Sequence, residues 1–280
     1  MDVSVIVPTY QPQDYLWDCL DSLYRQTLSK AAFEVIVVLN GTIAPYDEWI
    51  ERYISHHPDL NVVFLKTEVG GVSHARNLAL ERAKGAYIAF VDDDDYVSET
   101  YLEEMLSVAG PDTVALCYPY SFMDGDAGRQ CPYRQTEAYE YCVSHDCRTL
   151  KSPARKLFAG PCMKLIPAWM IGERRFDVRF KVGEDSIFMF LISDCVDRVR
   201  FTSREAVYYR RVRKNSALAF RSLQEVLKNN WRCMGAYTRI FLSNRRYSWY
   251  MYSTRMLAAC LVIGIRILDG MKHFFSFRRC

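Results

Sequence analysis

The chain has 280 residues, half of them hydrophobic and a quarter charged, which is an ordinary balance for a globular protein with a sizeable core. Its net charge of +3 is small, so no overall field favours nucleic acid, and no nucleic-acid partner is expected. The ten cysteines form no CxxC pair, which favours free thiols in a reducing cytoplasm over a zinc site or a disulfide scaffold. No signal peptide is predicted, because the first apolar segment has no basic region before it.

The first 110 residues alternate short apolar strands with amphipathic helices. Strands are predicted at residues 3–8, 33–39, 61–66 and 87–91. Helices are predicted at 14–28, 46–57 and 73–84, the last with Gly85 as its C-cap. This order predicts an α/β fold with a mostly parallel, twisted sheet and helices on both faces. Ligands of such sheets bind at the carboxyl ends of the strands, where Pro8, Asn40 and residues 92–95 fall.

The pattern is weaker from residue 112 and strengthens again near a predicted helix at 186–193 and a strand at 207–210. The C-terminal segment 247–280 has an apolar centre too short to span a membrane, with basic residues on both sides. We interpret it as an amphipathic helix lying on a membrane surface; the alternative is a helix packed on the rest of the fold.

Four consecutive carboxylates, Asp92-Asp93-Asp94-Asp95, directly follow a buried strand pattern. They repel one another unless a cation neutralises them, and Mg²⁺ or Mn²⁺ prefers oxygen ligands of this kind. Such ions keep only one or two protein carboxylates and take phosphate oxygens as further ligands, so a diphosphate is the expected ligand. The alternative is a solvated acidic loop or helix N-terminus.

Two further groups each allow two interpretations. The pair Glu184-Asp185 follows Gly183 and precedes an apolar helix, so a carboxylate here acts either as an N-cap or as a general base. Arg76, after a glycine turn, belongs either to an anion site or to a solvated helix face. The sequence contains no P-loop, dinucleotide fingerprint, nucleophile elbow or HExxH motif.

Seven segments occur in the order of a known family: residues 3–10, 34–38, 71–77, 85–95, 163–165, 180–185, and 208–211 with 215–216. Together they resemble the inverting family 2 glycosyltransferases with a GT-A fold, a Rossmann-like sheet, and especially bacterial enzymes of capsule, exopolysaccharide and O-antigen assembly. The resemblance implies a GT-A catalytic domain at 1–216, with a nucleotide-sugar half at about 1–110 and an acceptor half at about 111–216. A helical region associated with the membrane surface would follow at 217–280.

The resemblance also implies individual roles. The expected contacts of the nucleotide-sugar donor are Pro8, Thr9, Tyr10, Asn40, Arg76, Asp92, Asp93 and Arg210. By the family's DxD motif, Asp94 and Asp92 would bind Mn²⁺ or Mg²⁺, with Asp92 also toward the ribose. Asp185 would be the general base and Glu184 its acidic neighbour on the acceptor side. Leu39-Asn40 stands where the family usually has two acids, so Asn40 would have to accept the hydrogen bond from the base.

The implied reaction is transfer of a single sugar, with inversion, from a nucleotide-diphosphate sugar to a glycan or lipid-linked saccharide. A UDP-sugar is the favoured donor, and the expected location is cytoplasmic, peripheral at the inner face of the cytoplasmic membrane. The QxxRW motif of processive synthases is absent, which favours one transfer per event. Two alternatives stay open: a non-catalytic glycosyltransferase-like subunit of a membrane assembly, and a sugar-nucleotide pyrophosphorylase. The phosphate loop of the latter is absent after the first strand.

Overall fold

A computed structural model of the protein describes residues 1–151, 153–213 and 222–277. The chain divides into two compact units, Met1–Arg213 and Lys214–Cys280. The strands in the described residues are β1 (Val3–Thr9), β2 (Phe33–Asn40), β3 (Val62–Thr67), β4 (Tyr87–Phe90), β5 (Tyr96–Val97), β6 (Thr113–Leu116), β7 (Tyr118–Met123), β8 (Asp126–Gln130), β9 (Lys164–Pro167), β10 (Arg198–Phe201) and β11 (Val207–Val212). The α-helices there are α1 (Tyr15–Tyr24), α2 (Tyr46–His56), α3 (Val72–Leu80), α4 (Tyr101–Val108), α5 (Arg134–Ser144), α6 (Ala154–Leu157), α7 (Ala168–Ile171), α8 (Glu184–Ile192), α9 (Leu223–Ser243) and α10 (Trp249–Phe277).

The main sheet of the first unit has the strand order β10-β6-β9-β4-β1-β2-β3. Strands β1 and β2 are buried along their whole length, as continuous runs of β-branched residues require when both faces are covered. Only β9 runs antiparallel to its neighbours among these described strands, so the predicted α/β class with a mostly parallel sheet is confirmed. Right-handed crossovers put α1 and α2 on one face and α3 on the other.

The antiparallel strand β9 lies between β4 and β6 and returns the chain from a long excursion over residues 117–163. The excursion leaves the sheet beside the point where it comes back: Leu116 pairs with Lys164, and the Cys117 amide donates to the Met163 carbonyl at 3.3 Å. Within it, β7 joins β5, β8 and β11 in a second sheet of order β5-β11-β7-β8. The sequence patterns predict neither β6 to β9 nor this second sheet.

Gly85 has a different function from the predicted C-cap, since α3 already ends at Leu80. The Gly85 amide donates to Ser4 Oγ at 2.8 Å, and a Cβ at this position would lie only 2.4 Å from the Ser4 nitrogen. The residue before it is held in the same way, because the Lys84 amide donates to Glu34 Oε1 at 2.8 Å. Glycine is therefore required here by the close approach of the chain to β1.

The second unit contains α9 and α10. Helix α9 begins with a capping box formed by Ser222 and Glu225, and the ring of Phe241 stacks on that of Tyr252 in α10 with centroids 4.4 Å apart. Among the described residues, no helix is both long and apolar enough to cross a membrane. Large apolar side chains are nevertheless exposed on both helices: Trp231, Leu242, Trp249, Leu257 and Leu261. The predicted boundary at residue 216, the motif residues 215–216, and Arg278 and Arg279 lie outside the described residues.

Candidate active site

The acidic run 92–95 begins two residues after β4, at the carboxyl edge of the main sheet. Its first two carboxylates are held by side chains from other elements. Asp92 Oδ1 accepts a hydrogen bond from Arg76 Nη2 at 2.8 Å, and Asp93 Oδ2 accepts one from Thr9 Oγ1, at the end of β1, at 2.6 Å. The run is therefore packed against the sheet and is not a solvated loop.

The last two carboxylates of the run contact the chain in and just after β11. Asp94 Oδ2 forms an ion pair with Arg213 Nη2 at 2.8 Å. Asp95 is buried, and its two oxygens accept hydrogen bonds from the Tyr208 hydroxyl and the Arg211 amide, each at 2.8 Å. Asp95 thus fixes the run to β11, whereas Asp94 contacts a side chain at the end of the first unit.

Arg76 joins the acidic run to the second acidic group. Its guanidinium donates through Nη2 to Asp92 and through Nη1 to Asp185 Oδ1 at 2.5 Å, and it lies 5.2 Å from the centre of the Phe176 ring. Only 2% of the Arg76 side chain is exposed, so the interpretation as a solvated helix residue is wrong. The two carboxylates raise the pKa of Arg76 against the opposing effect of burial, and it is always charged.

Glu184 and Asp185 occupy the first turn of α8. The N-cap is Gly183, which adopts φ +88°, a left-handed conformation that favours glycine and directs the following pair toward Arg76. Neither acid is the N-cap, so that interpretation of the pair is wrong. Glu184 is almost fully buried and its Oε2 has no hydrogen-bond partner among the described residues, whereas about a third of the Asp185 side chain is exposed.

Burial and like charge raise the pKa values of the carboxyls at this site. Burial raises the pKa of Asp93 to about 7 against the hydrogen bond from Thr9, and the charges of Asp94 and Asp92 add to the shift. Burial and then Asp92 raise the pKa of Asp94, while burial raises that of Asp185 against the opposing charge of Arg76. Burial is the largest cause of each shift and neighbouring carboxylates add to it, so a bound cation would favour the charged forms of these acids.

The ends of β1 and β2 border the same edge. Pro8 and Thr9 are buried in β1, whereas Tyr10 is 53% exposed and its ring lies over Gly41, so that a Cβ there would be 2.8 Å from Tyr10 Cε2. Asn40 is buried, donates to the Thr9 carbonyl at 2.7 Å and accepts from the Gly71 amide at 2.8 Å. Its amide therefore ties β1 to the start of α3. The oxygen retains one lone pair, and its contact with a nucleotide base stays a prediction.

Three arginines lie in and just after β11, and only Arg210 is among the site residues expected from the sequence. The guanidinium of Arg210 lies 5.1 Å from the Tyr133 ring. Arg211 donates to the Asp94 carbonyl at 2.9 Å and pairs with Asp18 at 2.7 Å, and Arg213 contacts Asp94. Three arginines within four residues, in a chain that also carries four adjacent aspartates, are the signal that could have predicted this contact.

No group of three or more His, Cys, Asp or Glu side chains converges on one point in the described part of the chain. Mg²⁺ and Mn²⁺ sites that use substrate phosphates do not need such a group, because one or two carboxylates suffice. Asp92 and Asp94 are both partly exposed oxygen donors, and Asp94 already contacts a cationic group. These residues therefore fit a hard divalent cation shared with a diphosphate.

Comparison with known proteins agrees with this geometry. The model of the glycosyl transferase family 2 matches residues 4–160. Minor teichoic acid biosynthesis protein GgaB of Bacillus subtilis is 29% identical over 235 residues, which cover 82% of this chain and 25% of GgaB. Poly(ribitol-phosphate) beta-N-acetylglucosaminyltransferase TarS of Staphylococcus aureus is 28% identical over 210 residues, which cover 75% of this chain and 35% of TarS. The chain thus spans about a quarter to a third of the length of these relatives.

Solved structures show the same fold. The crystal structure of S. aureus TarS 1-349 in complex with UDP-GlcNAc superposes with a TM-score of 0.67 at 25% identity, over 85% of this chain and 66% of that one. The mannosyltransferase PcManGT from Pyrobaculum calidifontis, in complex with GDP-Man and Mn²⁺, gives 0.66 at 18% identity, over 95% and 73%. The likeness to PcManGT is one of fold alone. The predicted GT-A fold is confirmed.

Proposed function

The chain belongs to glycosyl transferase family 2, as its sequence motifs predict, and we propose that it transfers a single sugar from a nucleotide-diphosphate sugar to a hydroxyl. One observation carries this proposal. The Arg76 guanidinium holds Asp92, an acid predicted for the donor, and Asp185, the predicted base, on its two ends at 2.8 and 2.5 Å. A donor-side acid and a base are thus separated by a single planar group, as a transfer between two bound substrates requires.

The donor would lie along the edge formed by Thr9, Tyr10 and the acidic run. The exposed ring of Tyr10 offers a face for the base, and the UDP-GlcNAc bound by TarS supports a UDP-sugar. Asp94 and Asp92 would hold Mn²⁺ or Mg²⁺, which supplies positive charge near the leaving diphosphate when bound. PcManGT, which shares the fold, was solved with Mn²⁺, which supports a divalent cation but no particular ligand residue.

Asp185 would take the proton from the attacking hydroxyl. Its side chain is partly exposed, so an acceptor can reach it, and burial raises its pKa, which makes it a stronger proton acceptor than a surface aspartate. Arg76 keeps the carboxylate oriented and charged. With the base on the side opposite the leaving diphosphate, a single displacement through an oxocarbenium-like transition state inverts the anomeric configuration.

The acceptor we propose is a glycan or lipid-linked saccharide of cell-surface polysaccharide assembly, which the teichoic acid proteins among the relatives support. Peripheral binding to the inner face of the membrane is part of the same proposal, and the exposed Trp231, Trp249 and Leu257 of α9 and α10 support it. Sedimentation with anionic vesicles tests it: we expect binding by the wild-type chain and weaker binding by Trp249→Ser. Equal binding of both to neutral vesicles would contradict it.

The proposed transfer is tested first by thermal unfolding with UDP, GDP, CMP and dTDP, each with and without Mn²⁺. We expect one nucleotide to raise the Tm, more strongly with Mn²⁺, because a ligand of the native state stabilises it by RT ln(1 + [L]/Kd). Asp94→Ala should abolish the Mn²⁺ effect, whereas the exposed Glu173→Gln should retain it. Release of nucleoside diphosphate from the matching sugar donor then tests turnover. Nucleotide binding without any turnover would instead favour the non-catalytic subunit.

A further inference from the structure

Arg213 differs from the other side chains that contact carboxylates of the acidic run. The side chains that donate to the carboxylates of Asp92, Asp93 and Asp95 are buried: Arg76, Thr9 and Tyr208. Arg213 is instead 40% exposed at the end of the first unit, one residue after β11. The ion pair that it forms with Asp94 is therefore the most accessible to solvent of the contacts that neutralise this run.

The Arg213 guanidinium has a second anchor. It lies 4.9 Å from the centre of the Tyr15 ring, at the start of α1, while Nη2 is 2.8 Å from Asp94 Oδ2. The cation is thus held in a defined place over the carboxylate by an aromatic face and an ion pair. Asp94 is itself only 19% exposed, so a guanidinium at 2.8 Å occupies much of the approach to Oδ2.

A divalent cation that ligates Asp94 through Oδ2 must take the place that the Arg213 guanidinium occupies. Mg²⁺ sits about 2.0–2.1 Å from its oxygen ligands, closer than the guanidinium nitrogen is to Oδ2, and the two positive groups repel each other at such separations. Arg76 cannot be displaced in the same way, because it is buried and holds Asp92 and Asp185 together. Exchange at this site therefore concerns Arg213 alone among the arginines described above.

We propose that Arg213 is the resident counter-ion of Asp94, which the divalent cation displaces and which then pairs with the diphosphate that arrives with that cation. The inference rests on the proposed function, because it takes Asp94 as a metal ligand. Its consequence is a coupling between the two ligands. Binding of the metal alone breaks the ion pair between Arg213 and Asp94 and leaves the guanidinium without an anion. Binding of the metal together with a diphosphate gives the guanidinium a new anionic partner.

The coupling predicts effects of opposite sign in Arg213→Gln. Without nucleotide, Mn²⁺ should bind to Arg213→Gln about fivefold more tightly than to the wild type. The reason is that the exposed ion pair between Arg213 and Asp94 no longer competes with the metal. UDP should bind about fivefold more weakly in the presence of saturating Mn²⁺, because the freed guanidinium is missing. The free-Mn²⁺ EPR signal measures the first dissociation constant and isothermal titration calorimetry the second, so neither depends on turnover.

Two further variants separate this exchange from a general charge effect. Arg204→Gln removes the same charge from an exposed guanidinium that pairs with Glu140 and not with the acidic run, and should change the Mn²⁺ dissociation constant less than twofold. Arg213→Lys keeps a cation at the position and should retain most of the wild-type competition. Arg213 is on the surface, so the variants should fold, which thermal unfolding verifies.

Equal Mn²⁺ affinity of the wild type and Arg213→Gln, with Mn²⁺-dependent UDP binding intact, would overturn the exchange and leave the proposed function standing. Equal gains in Arg204→Gln and Arg213→Gln would also overturn it, by reducing the effect to net charge. Absence of Mn²⁺ and UDP binding in the wild type and in every variant would overturn both. Mn²⁺ binding that appears only in Arg213→Gln would support the exchange in its strongest form.

Discussion

The two acidic groups at the edge of the main sheet are neutralised in opposite ways. The run 92–95 spreads its four carboxylates over partners from several elements, among them Thr9 and Arg213. The pair at the start of α8 depends on one buried cation: Arg76 pairs with Asp185, and Glu184 Oε2 has no hydrogen-bond partner within the described ranges. Under the proposed exchange, ligand binding would release Arg213 from the run, whereas Arg76 would keep its place against Asp185.

The largest effect should come from the acceptor side. Asp185→Asn keeps the shape of the side chain but removes the proton acceptor, so we expect kcat to fall about 10²- to 10⁴-fold. Mn²⁺-dependent nucleotide binding should be nearly unchanged, because this substitution leaves the side chains that hold the acidic run in place. Steady-state kinetics and calorimetry measure the two quantities, with Glu173→Gln as the exposed control. Unchanged turnover would remove Asp185 from the role of base.

Removal of Arg76, the cation shared by the two acidic groups, should lower the unfolding free energy. Arg76→Leu leaves Asp92 and Asp185 without their partner, and breaking a buried ion pair in this way costs about 3–5 kcal/mol of unfolding free energy. Urea unfolding followed by circular dichroism measures it. Arg179→Leu, which breaks an exposed pair with Asp177, should cost about 0–1 kcal/mol. A cost for Arg76→Leu as small as that of the control would mean that the two acidic groups are independent.

Within the run, substitution of Asp95 should mainly lower stability, whereas substitution of Asp94 should mainly abolish metal binding. Asp95→Asn disturbs buried hydrogen bonds with Tyr208 and the Arg211 amide, so we expect a loss of about 1–3 kcal/mol in unfolding free energy. Asp94→Asn should cost less than about 1 kcal/mol, because its ion pair is partly exposed, yet it should abolish the Mn²⁺-dependent rise in Tm. The reverse assignment of the two effects would show that the metal binds elsewhere.

The smallest expected effect is a shift in the pH dependence of activity, because the two acidic groups interact through charge. The charge of Asp92 raises the pKa of Asp185, which must be deprotonated to act as a base. Activity should therefore fall as the pH drops through a pKa higher than that of an ordinary aspartate. Asp92→Asn removes the raising charge, so this acid limb should move to lower pH, whatever the change in kcat. A pH profile of kcat/KM that keeps the wild-type limb would contradict the link.

The nucleotide-side fold was predictable because its strands carry strong signals. Strands β1 and β2 are continuous apolar runs buried on both faces, and amphipathic helices separate them. The excursion 117–163 gives no such signal, since β8 is exposed along its whole length and carries no apolar alternation. A strand that is buried on neither face carries no apolar alternation to detect.

The site was predictable as a list of charged residues but not as an arrangement. The acidic run could be inferred from its position after β4, and Asp185 from its family motif. That Arg76 contacts both Asp92 and Asp185 could not, because the contacts join residues up to 109 positions apart. Periodicity and spacing describe neighbours along the chain, whereas this bridge depends on how α3 and α8 pack.

The paired ends of the excursion have a consequence for how such a protein can diversify. Because Leu116 and Lys164 face each other on adjacent strands, the chain between them begins and ends at one fixed point of the sheet. A segment anchored in that way can be lengthened, shortened or exchanged by recombination while the register of β6 and β9 is preserved. Relatives could therefore replace this segment while strands β1 to β4 are inherited unaltered.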